Sequence, residues 1–349
     1  MSSRVLVTGA SGLLGRAVAR LLTERGHEVT VSQRGSAGLD GLLDGREVRG
    51  DIADPDVAAA AVRGQDGVVH LAAKVDVSGS WSAYERTNVV GTSVLLDAAR
   101  RAGVTRFVHV SSPAVAHGGR ALVGAGAEPA DPARARGHYA RSKARAERLA
   151  LGAATPAMAV TAVRPHLVWG PGDTQLVARV VERARAGRLA LVGSGAALID
   201  TTYVDNAADA IVAAFDRAAD VSGLALVVSN GEPRPVAEIV LRVCRAAGLE
   251  PTPRRVPLPV AWSAGAVVEA LTPALRRTGL MRGDPPITRF LAEQLGTAHW
   301  FDQTRTRRLL GWTPRVDLDE GFARLTAWYA DADADADADA AAAAAAGQR

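Results

Sequence analysis

Tyr139 and Lys143 stand four residues apart in GHYARSKARAERLA. On a helix such a pair shares one face. An unperturbed phenol is a poor acid or base near neutral pH, and a neighbouring ammonium favours its phenolate. The chain carries only two lysines, Lys74 and Lys143, among 41 basic residues, so lysine is not its default cation. A compact ammonium can approach a ribose and a phenol together, which a broad guanidinium fork does less well. Upstream, RFVHV runs into Ser111 and Ser112. A hydroxyl at the carboxyl end of a strand can hold a substrate oxygen as charge develops on it, and either serine fits that description. The expected chemistry is proton transfer at a carbonyl or alcohol oxygen, with Tyr139 as the acid-base group.

A second cluster supplies what such chemistry lacks. The run RVLVT (4–8) is followed by TGASGLLG, which places Gly9, Gly12 and Gly15 where a strand turns into a helix. A side chain at Gly9 would crowd the turn, one at Gly12 would hold a pyrophosphate off the backbone, and Gly15 permits close helix packing. Ser11, Leu13 and Leu14 belong to the same loop and present backbone N–H groups to phosphates at the helix N-terminus. These residues predict a dinucleotide site. Where a carboxylate would accept the adenosine ribose hydroxyls, the second strand ends in Gln33 and Arg34. A neutral residue followed by a guanidinium suits a 2′-phosphate, so the expected cofactor is NADP(H) in preference to NAD(H).

The elements that must position these groups alternate along the chain. Strands are expected at 4–8, 27–32, 67–73, 106–111 and 159–164. Helices are expected over 13–25, around 84–102 and from Tyr139 onward. Strands alternating with helices at this spacing predict an α/β fold, a Rossmann-type doubly wound parallel sheet. After Pro165 the pattern loosens into Pro- and Gly-rich turns, while 201–215 and 225–230 return to it. The expected organisation is a dinucleotide-binding domain over 1–165, with 201–230 returning to it. A smaller, mainly helical substrate domain would comprise 166–200 and 231–329, and 330–349 would be a disordered low-complexity tail. Residues 113–138 are too irregular for a core element, and loops of that length are usually functional. This one is expected to fold over the pocket, bringing His117, Arg120, Arg134, Arg136 or His138 to the substrate. Asn88 in TNVVGT is a candidate to anchor the active-site helix or a water, or to serve structure alone.

Composition narrows the function classes. The chain has 349 residues and a formal net charge of +4; five aspartates and one arginine at 331–349 leave the preceding residues at +8. The arginines are scattered, without a basic stripe interleaved by aromatics, so a nucleic-acid partner is not expected. An anionic cofactor and substrate account for the excess. No apolar run reaches the length of a membrane-spanning helix, and the first ten residues lack a signal-peptide pattern. One cysteine, Cys244, excludes an internal disulfide and fits a cytoplasmic location. With a lone thiol and no clustered histidines, no metal site is expected.

The glycine spacing, the serine before the Tyr-Lys pair, and the stretches 163–173, 192–210 and 284–321 together resemble the extended short-chain dehydrogenase/reductases. The resemblance runs from Val5 to Gly321. Within that superfamily it is nearest to the 3β-hydroxysteroid and sterol-4α-carboxylate 3-dehydrogenase family and, inside it, to the bacterial 2-alkyl-3-oxoalkanoate reductases of long-chain olefin biosynthesis. It implies Ser112 rather than Ser111 as the catalytic hydroxyl, beside Tyr139 and Lys143. It places Asp51 and Ile52 around the adenine, Ala72, Ala73 and Lys74 by the nicotinamide ribose, and the Pro165 backbone by the carboxamide. It also implies reduction of a long-chain 2-alkyl-3-oxo acid to the 3-hydroxy acid, with a 3β-hydroxysteroid or 4-carboxysterol as the alternative substrate. A nucleotide sugar is more distant, because AVAHGG replaces the Tyr-Gly common in those members. A non-catalytic dinucleotide sensor would not need Ser112, Tyr139 and Lys143. A homodimer, and a place in an assembly of pathway enzymes, are further expectations. His117, His138, His166 and Trp169 are candidates for the substrate pocket, as are the apolar segments 256–275 and 287–295.

Overall fold

The computed structural model describes residues 2–39, 46–75, 79–278 and 288–346. Residues 284–287 of the family-like stretch lie outside them. The first unit is β1 (Arg4–Thr8), α1 (Leu13–Glu24) and β2 (Glu28–Gln33), and it needs little beyond its sequence. Along β1, Val5 and Val7 point to one face of the sheet and Leu6 to the other, joining two separate core clusters. Both faces are therefore covered, which is why the strand is apolar throughout rather than alternating. Helix α1 buries Val18, Ala19 and Leu22.

The alternation continues through β3 (Glu47–Arg49) and α2 (Pro55–Val62), whose first turn is capped by the Asp54 carboxylate accepting from the Asp56 N–H. Next come β4 (Gly67–His70) and α3 (Trp81–Tyr84), a π-helical turn at Glu85–Val90, and α4 (Gly91–Arg101). Strand β5 (Arg106–Val110) leads to β6 (Leu122–Ala125), α5 (Gly137–Gly152), β7 (Ala159–Pro165) and β8 (Val168–Trp169). Then follow α6 (Leu176–Arg185), β9 (Ala190–Val192), β10 (Leu198–Ile199), β11 (Thr202–Tyr203), α7 (Val204–Asp216) and β12 (Ala225–Val228). The remainder is β13 (Arg234–Pro235), α8 (Val236–Ala246), β14 (Arg254–Val256), α9 (Leu258–Arg277), α10 (Arg289–Gly296), β15 (His299–Phe301), α11 (Thr304–Leu310) and α12 (Leu318–Ala346).

The main sheet has seven parallel strands in the order β12-β7-β5-β4-β1-β2-β3. The strand order reverses between β1 and β4, and in open sheets of this kind ligands bind outside the carboxyl ends at such a reversal. Gly9 and Ala72 face each other at that point. A smaller sheet, β13-β10-β15-β6, joins the segment after β5 to the C-terminal third of the chain. Part of the 113–138 connection is thus regular: β6 pairs in parallel with β15. A third apolar cluster, including Trp169, Tyr203, Ile239, Phe322 and Leu325, forms the core of the helical substrate-binding lobe. Helix α12 continues through the Asp-Ala repeat to Ala346, where the sequence suggested a chain without structure; alanine has the highest helix propensity. Among the described residues, no helix is long and apolar enough to cross a membrane.

Candidate active site

At the reversal point the glycine loop and the open ends of β1, β4, β5 and β7 surround a cavity of about 740 Å³, within the usual range for cofactor and ligand pockets. Gly9 has φ +74°, and its N–H donates to the Ser32 carbonyl at 2.8 Å. A Cβ there would lie 2.8 Å from the Ala72 nitrogen, and one on Gly15 would lie 2.2 Å from the Gly9 carbonyl oxygen. Gly12 differs: its nearest neighbour would be 3.6 Å away, and it lines the cavity. Gly12 also precedes α1 without any side-chain cap, so first-turn N–H groups face open space. Two glycines are required by the fold itself, and the third leaves its part of the cavity open.

The cavity wall contains Ser11, Leu13, Leu14, Arg34, Asp51, Ile52, Ala72, Ala73 and Pro165 beside those glycines. Lys74 is not part of it. Its backbone N–H donates to Asn88 Oδ1 at 2.7 Å, and its Nζ lies over the Tyr84 ring, 5.3 Å from the centroid. Burial pushes the Asp51 carboxyl up, but hydrogen bonds from the Ala53 N–H and Arg86, with the Arg86 and Arg34 charges, outweigh it and hold the carboxyl below its ordinary value.

Ser112, Tyr139 and Lys143 line the same cavity. Ser112 follows β5 and Tyr139 lies in the first turn of α5, so the strand end and the helix start bring hydroxyl and phenol into one cavity. Burial pushes the phenol pKa up, and the Ser112 hydrogen bond opposes it. The expected relief from Lys143 takes a different form, because its Nζ donates to the Val110 carbonyl at 2.6 Å. Burial lowers the Lys143 pKa to about 8, with the Glu147 charge resisting. The neighbouring Ser111 is buried.

Two buried contacts hold α5 in place. Asn88, in the π-helical turn, donates to the Ser142 hydroxyl at 2.9 Å and to the Lys74 carbonyl at 3.1 Å. It therefore anchors the helix that carries Tyr139 and Lys143. Arg164 of β7 and Glu147 of α5 form a two-pronged ion pair, Nε to Oε2 at 2.8 Å and Nη2 to Oε1 at 2.5 Å, both side chains 1% exposed. Arg164 Nη1 also donates to the Glu128 carbonyl at 2.7 Å, tying down the 113–138 connection.

Of the substrate candidates, His117 and His166 line the cavity, together with Leu122, Leu167, Leu291, Gln294, His299 and Phe301. Trp169 does not: it is 1% exposed, stacked on Phe322 at 4.5 Å, with its indole N–H donating to the Thr201 hydroxyl at 2.9 Å. His138 is exposed and packs against the Trp81 and Tyr84 rings. Arg120 and Arg134 are exposed, and Arg136 pairs with Glu293. Among the described residues helix α9 supplies none to the cavity, whereas α10 supplies Leu291 and Gln294. His299, Phe301 and Leu167 carried no sequence signal that singled them out. Leu167 is the single described non-glycine residue with positive φ, at 43°, a sparsely populated conformation for a bulky side chain. Among the described residues no group of acids, histidines or cysteines is arranged to hold a metal ion.

A model of the NAD dependent epimerase/dehydratase family matches residues 5–228. The chain belongs to that family. It is 43% identical over 329 residues to 2-alkyl-3-oxoalkanoate reductase of Stenotrophomonas maltophilia (strain K279a), covering 93% of this chain and 98% of that one. It is 30% identical over 342 residues to a 3-beta-hydroxysteroid dehydrogenase of Mycolicibacterium neoaurum, covering 94% and 92%. Among solved structures it resembles MoeE5 in complex with UDP-glucuronic acid and NAD, with 27% identity, a TM-score of 0.71, and 94% and 99% of the two chains covered. The family member is thus an extended short-chain dehydrogenase/epimerase-superfamily enzyme, an NAD(P)-linked oxidoreductase acting on a hydroxyl or keto group.

The MoeE5 complex corrects the expected preference for NADP(H), since that relative holds NAD. The physical reason lies on β3. The Gln33 amide is hydrogen-bonded to the Glu47 carboxylate, which also accepts the Ala37 N–H at 2.7 Å. A carboxylate therefore does stand beside the end of β2, supplied by the neighbouring strand and paired there with Arg49. Arg34 is exposed, and its charge acts on Asp51.

Proposed function

We propose that this chain is an NAD(H)-dependent reductase of long-chain 2-alkyl-3-oxo acids, forming the 2-alkyl-3-hydroxy acids. The observation that carries this reading is one cavity lined by Ser112, Tyr139 and the glycine loop. Leu122, Leu167, Leu291 and Phe301 line the same cavity. The 43% identity to a reductase of that name, over nearly the full length of both chains, supports the choice of substrate. Residues 1–165 with 201–230 would hold the dinucleotide, and 166–200 with 231–329 the substrate.

Ser112 donates to the substrate carbonyl oxygen, Tyr139 delivers a proton to the same oxygen as it becomes an alkoxide, and Lys143 holds the ribose and keeps positive charge near the phenol. A bound nicotinamide supplies the hydride. Burial raises the phenol pKa, so the tyrosine enters the reduction protonated, which is the form a general acid requires. Gly9, Gly12 and Gly15, with the N-terminus of α1, would seat the pyrophosphate, and Asp51, Ile52, Ala72, Ala73 and Pro165, which line the same cavity, would hold the rest of the dinucleotide.

Free 3-oxo acids lose carbon dioxide readily, so the reading is tested in reverse, with synthetic 2-alkyl-3-hydroxy acids and NAD, following absorbance of the reduced nicotinamide. Turnover should weaken as the alkyl chains shorten, by about 0.8 kcal/mol per buried methylene. Tyr139→Phe should lower turnover by several powers of ten while leaving NAD(H) binding nearly intact. Failure to oxidise these acids beside robust turnover of a 3β-hydroxysteroid would overturn the proposal.

A further inference from the structure

The apolar stretch 256–275, which the sequence offers to the substrate pocket, gives no described residue to the cavity. Most of it forms α9 instead. That helix is held from one side. Ala261 packs with Val192 of β9 and Ala292 of α10. The Trp262 indole N–H donates to Glu293 Oε1 at 3.0 Å, and the Arg289 N–H and Nε each donate to the Glu269 carboxylate at 2.8 Å. A Cβ on Gly265 would lie 2.6 Å from the Arg289 nitrogen, so the backbone of α9 presses on the start of α10.

The other side is bare. Val260, Val267 and Leu271 are 56%, 58% and 52% exposed. With the exposed Ala264 they recur at steps of four, three and four residues, which sets them in one line along a helix. Between Pro259 and Leu271 no exposed side chain carries a charge. A surface helix normally turns charged and polar residues outward, and one that is apolar all round is normally buried. Apolar residues scattered singly over a surface need no partner, whereas a continuous run of them marks an interaction site.

Charge decides what covers it. Residues 245–277 hold five arginines and two glutamates. Both glutamates are engaged, Glu250 by Arg245 at 3.5 Å and Glu269 by Arg289 at 2.8 Å. Arg254 and Arg255, on the strand that leads into α9, are exposed and have no partner among the described residues. Arg188 is in the same state, beside Leu189, whose carbonyl accepts the Arg254 N–H at 3.1 Å. A second copy docked about a two-fold axis would lay two such helices antiparallel. Their arginine-flanked ends would then meet, and like charges across an interface are costly. An anionic lipid surface suits both features, because apolar side chains enter between acyl chains while guanidinium groups meet phosphates.

We infer that α9 and the arginines before it form a docking face for an anionic lipid bilayer, on which the helix lies without crossing. The inference goes beyond the proposed reaction and does not rest on it. Helix α10, which packs against α9, lines the cavity with Leu291 and Gln294, so the docking face stands one helix away from the catalytic pocket.

The test is flotation of the NADH-bound full chain with vesicles, at about 0.1 M salt, where the screening length is about 10 Å. One set is phosphatidylcholine alone, and the other holds equal parts of phosphatidylcholine and phosphatidylglycerol. Each arginine near an anionic surface contributes roughly a fivefold factor in binding. The wild-type chain should therefore bind the mixed vesicles at least about tenfold more tightly than the neutral ones. Arg254→Gln/Arg255→Gln should remove most of that preference. Val267→Gln/Leu271→Gln should weaken binding to the mixed vesicles by about tenfold or more. These side chains are exposed, so melting temperature and NADH binding should stay as in wild type; should one pair not fold, the other carries the test. No binding to the mixed vesicles, equal binding to both sets, or binding that survives both pairs of substitutions would overturn the inference. So would a wild-type dimer that Val267→Gln/Leu271→Gln converts to a monomer, since the face would then belong to a second copy. No turnover is read, so the outcome is separable from the proposed reaction. Vesicle binding by a chain inert toward 2-alkyl-3-hydroxy acids would sink the reaction and leave the docking face standing.

Discussion

Replacing Glu147 by Gln removes one negative charge from the buried pair that clamps α5 to β7, at nearly constant volume. Arg164 would keep its hydrogen bond to the Glu128 carbonyl and one to the new amide oxygen, yet its charge would stay at 1% exposure with nothing to compensate it. Breaking a buried pair from one side costs about 3–5 kcal/mol, and the retained hydrogen bonds place this case near the lower end. A native protein has about 5–15 kcal/mol in hand, so the variant should still fold and can be assayed. Its urea midpoint should drop accordingly at unchanged m-value. A second consequence separates this account from mere destabilisation. The Glu147 charge is what resists the lowering of the Lys143 pKa, which stands at about 8. Without it the ammonium deprotonates at lower pH, and the alkaline limb of kcat/KM moves toward neutrality. A shift of one unit would cut the protonated fraction at pH 7 from roughly nine-tenths to one half. Replacing both partners, Glu147→Leu with Arg164→Met, should restore most of the stability while loosening the connection at Glu128. A midpoint change worth less than about 1 kcal/mol in Glu147→Gln, or an unmoved alkaline limb, would refute the reasoning.

The glycine loop offers a paired test. Gly12→Ala should leave thermal stability nearly unchanged and weaken NAD(H) binding at least about tenfold, because its methyl enters the pyrophosphate cradle. Gly15→Ala, whose methyl would meet the Gly9 carbonyl at 2.2 Å, should lower stability first; fluorescence titration and a melting curve on each variant distinguish the two. Acid sensitivity follows from the buried histidines. His70 is held to about 3 by burial, below its unfolded value near 6.5, so its contribution is present in full above pH 6.5 and is lost as pH falls toward 3. The slope should be about 1.4 kcal/mol per pH unit for this group. Denaturant midpoints between pH 7 and 5 should decline less steeply in His70→Gln than in wild type, and parallel slopes would count against the assignment.

What was legible in the sequence was local. The glycine loop, the strand alternation and the Tyr139–Lys143 spacing are each carried within a few residues, and periodicity places them on their elements. Gln33 and Arg34 alone do not reveal the cofactor, because the carboxylate that holds the Gln33 amide, Glu47, belongs to the adjacent strand and reaches Gln33 across the sheet. Trp169 looked available for a pocket because an indole can serve either role; Thr201 and Phe322, distant in sequence, settle it in the lobe core. His299 was invisible for the same reason. Its place opposite His117 depends on β15 pairing with β6, and no spacing along the chain encodes that contact. The regular structure of β6 itself arises from this partner.

That pairing has a consequence for the order in which the protein becomes competent during synthesis. Every strand of the seven-stranded sheet has left the ribosome once β12 is made, so the dinucleotide cradle can close on its cofactor while the last third of the chain is still being translated. The wall bearing His299 and Phe301 cannot form until β15 emerges and finds β6 waiting unpaired. A nascent chain arrested shortly before His299 would therefore hold nucleotide but present an open, half-walled groove to the substrate.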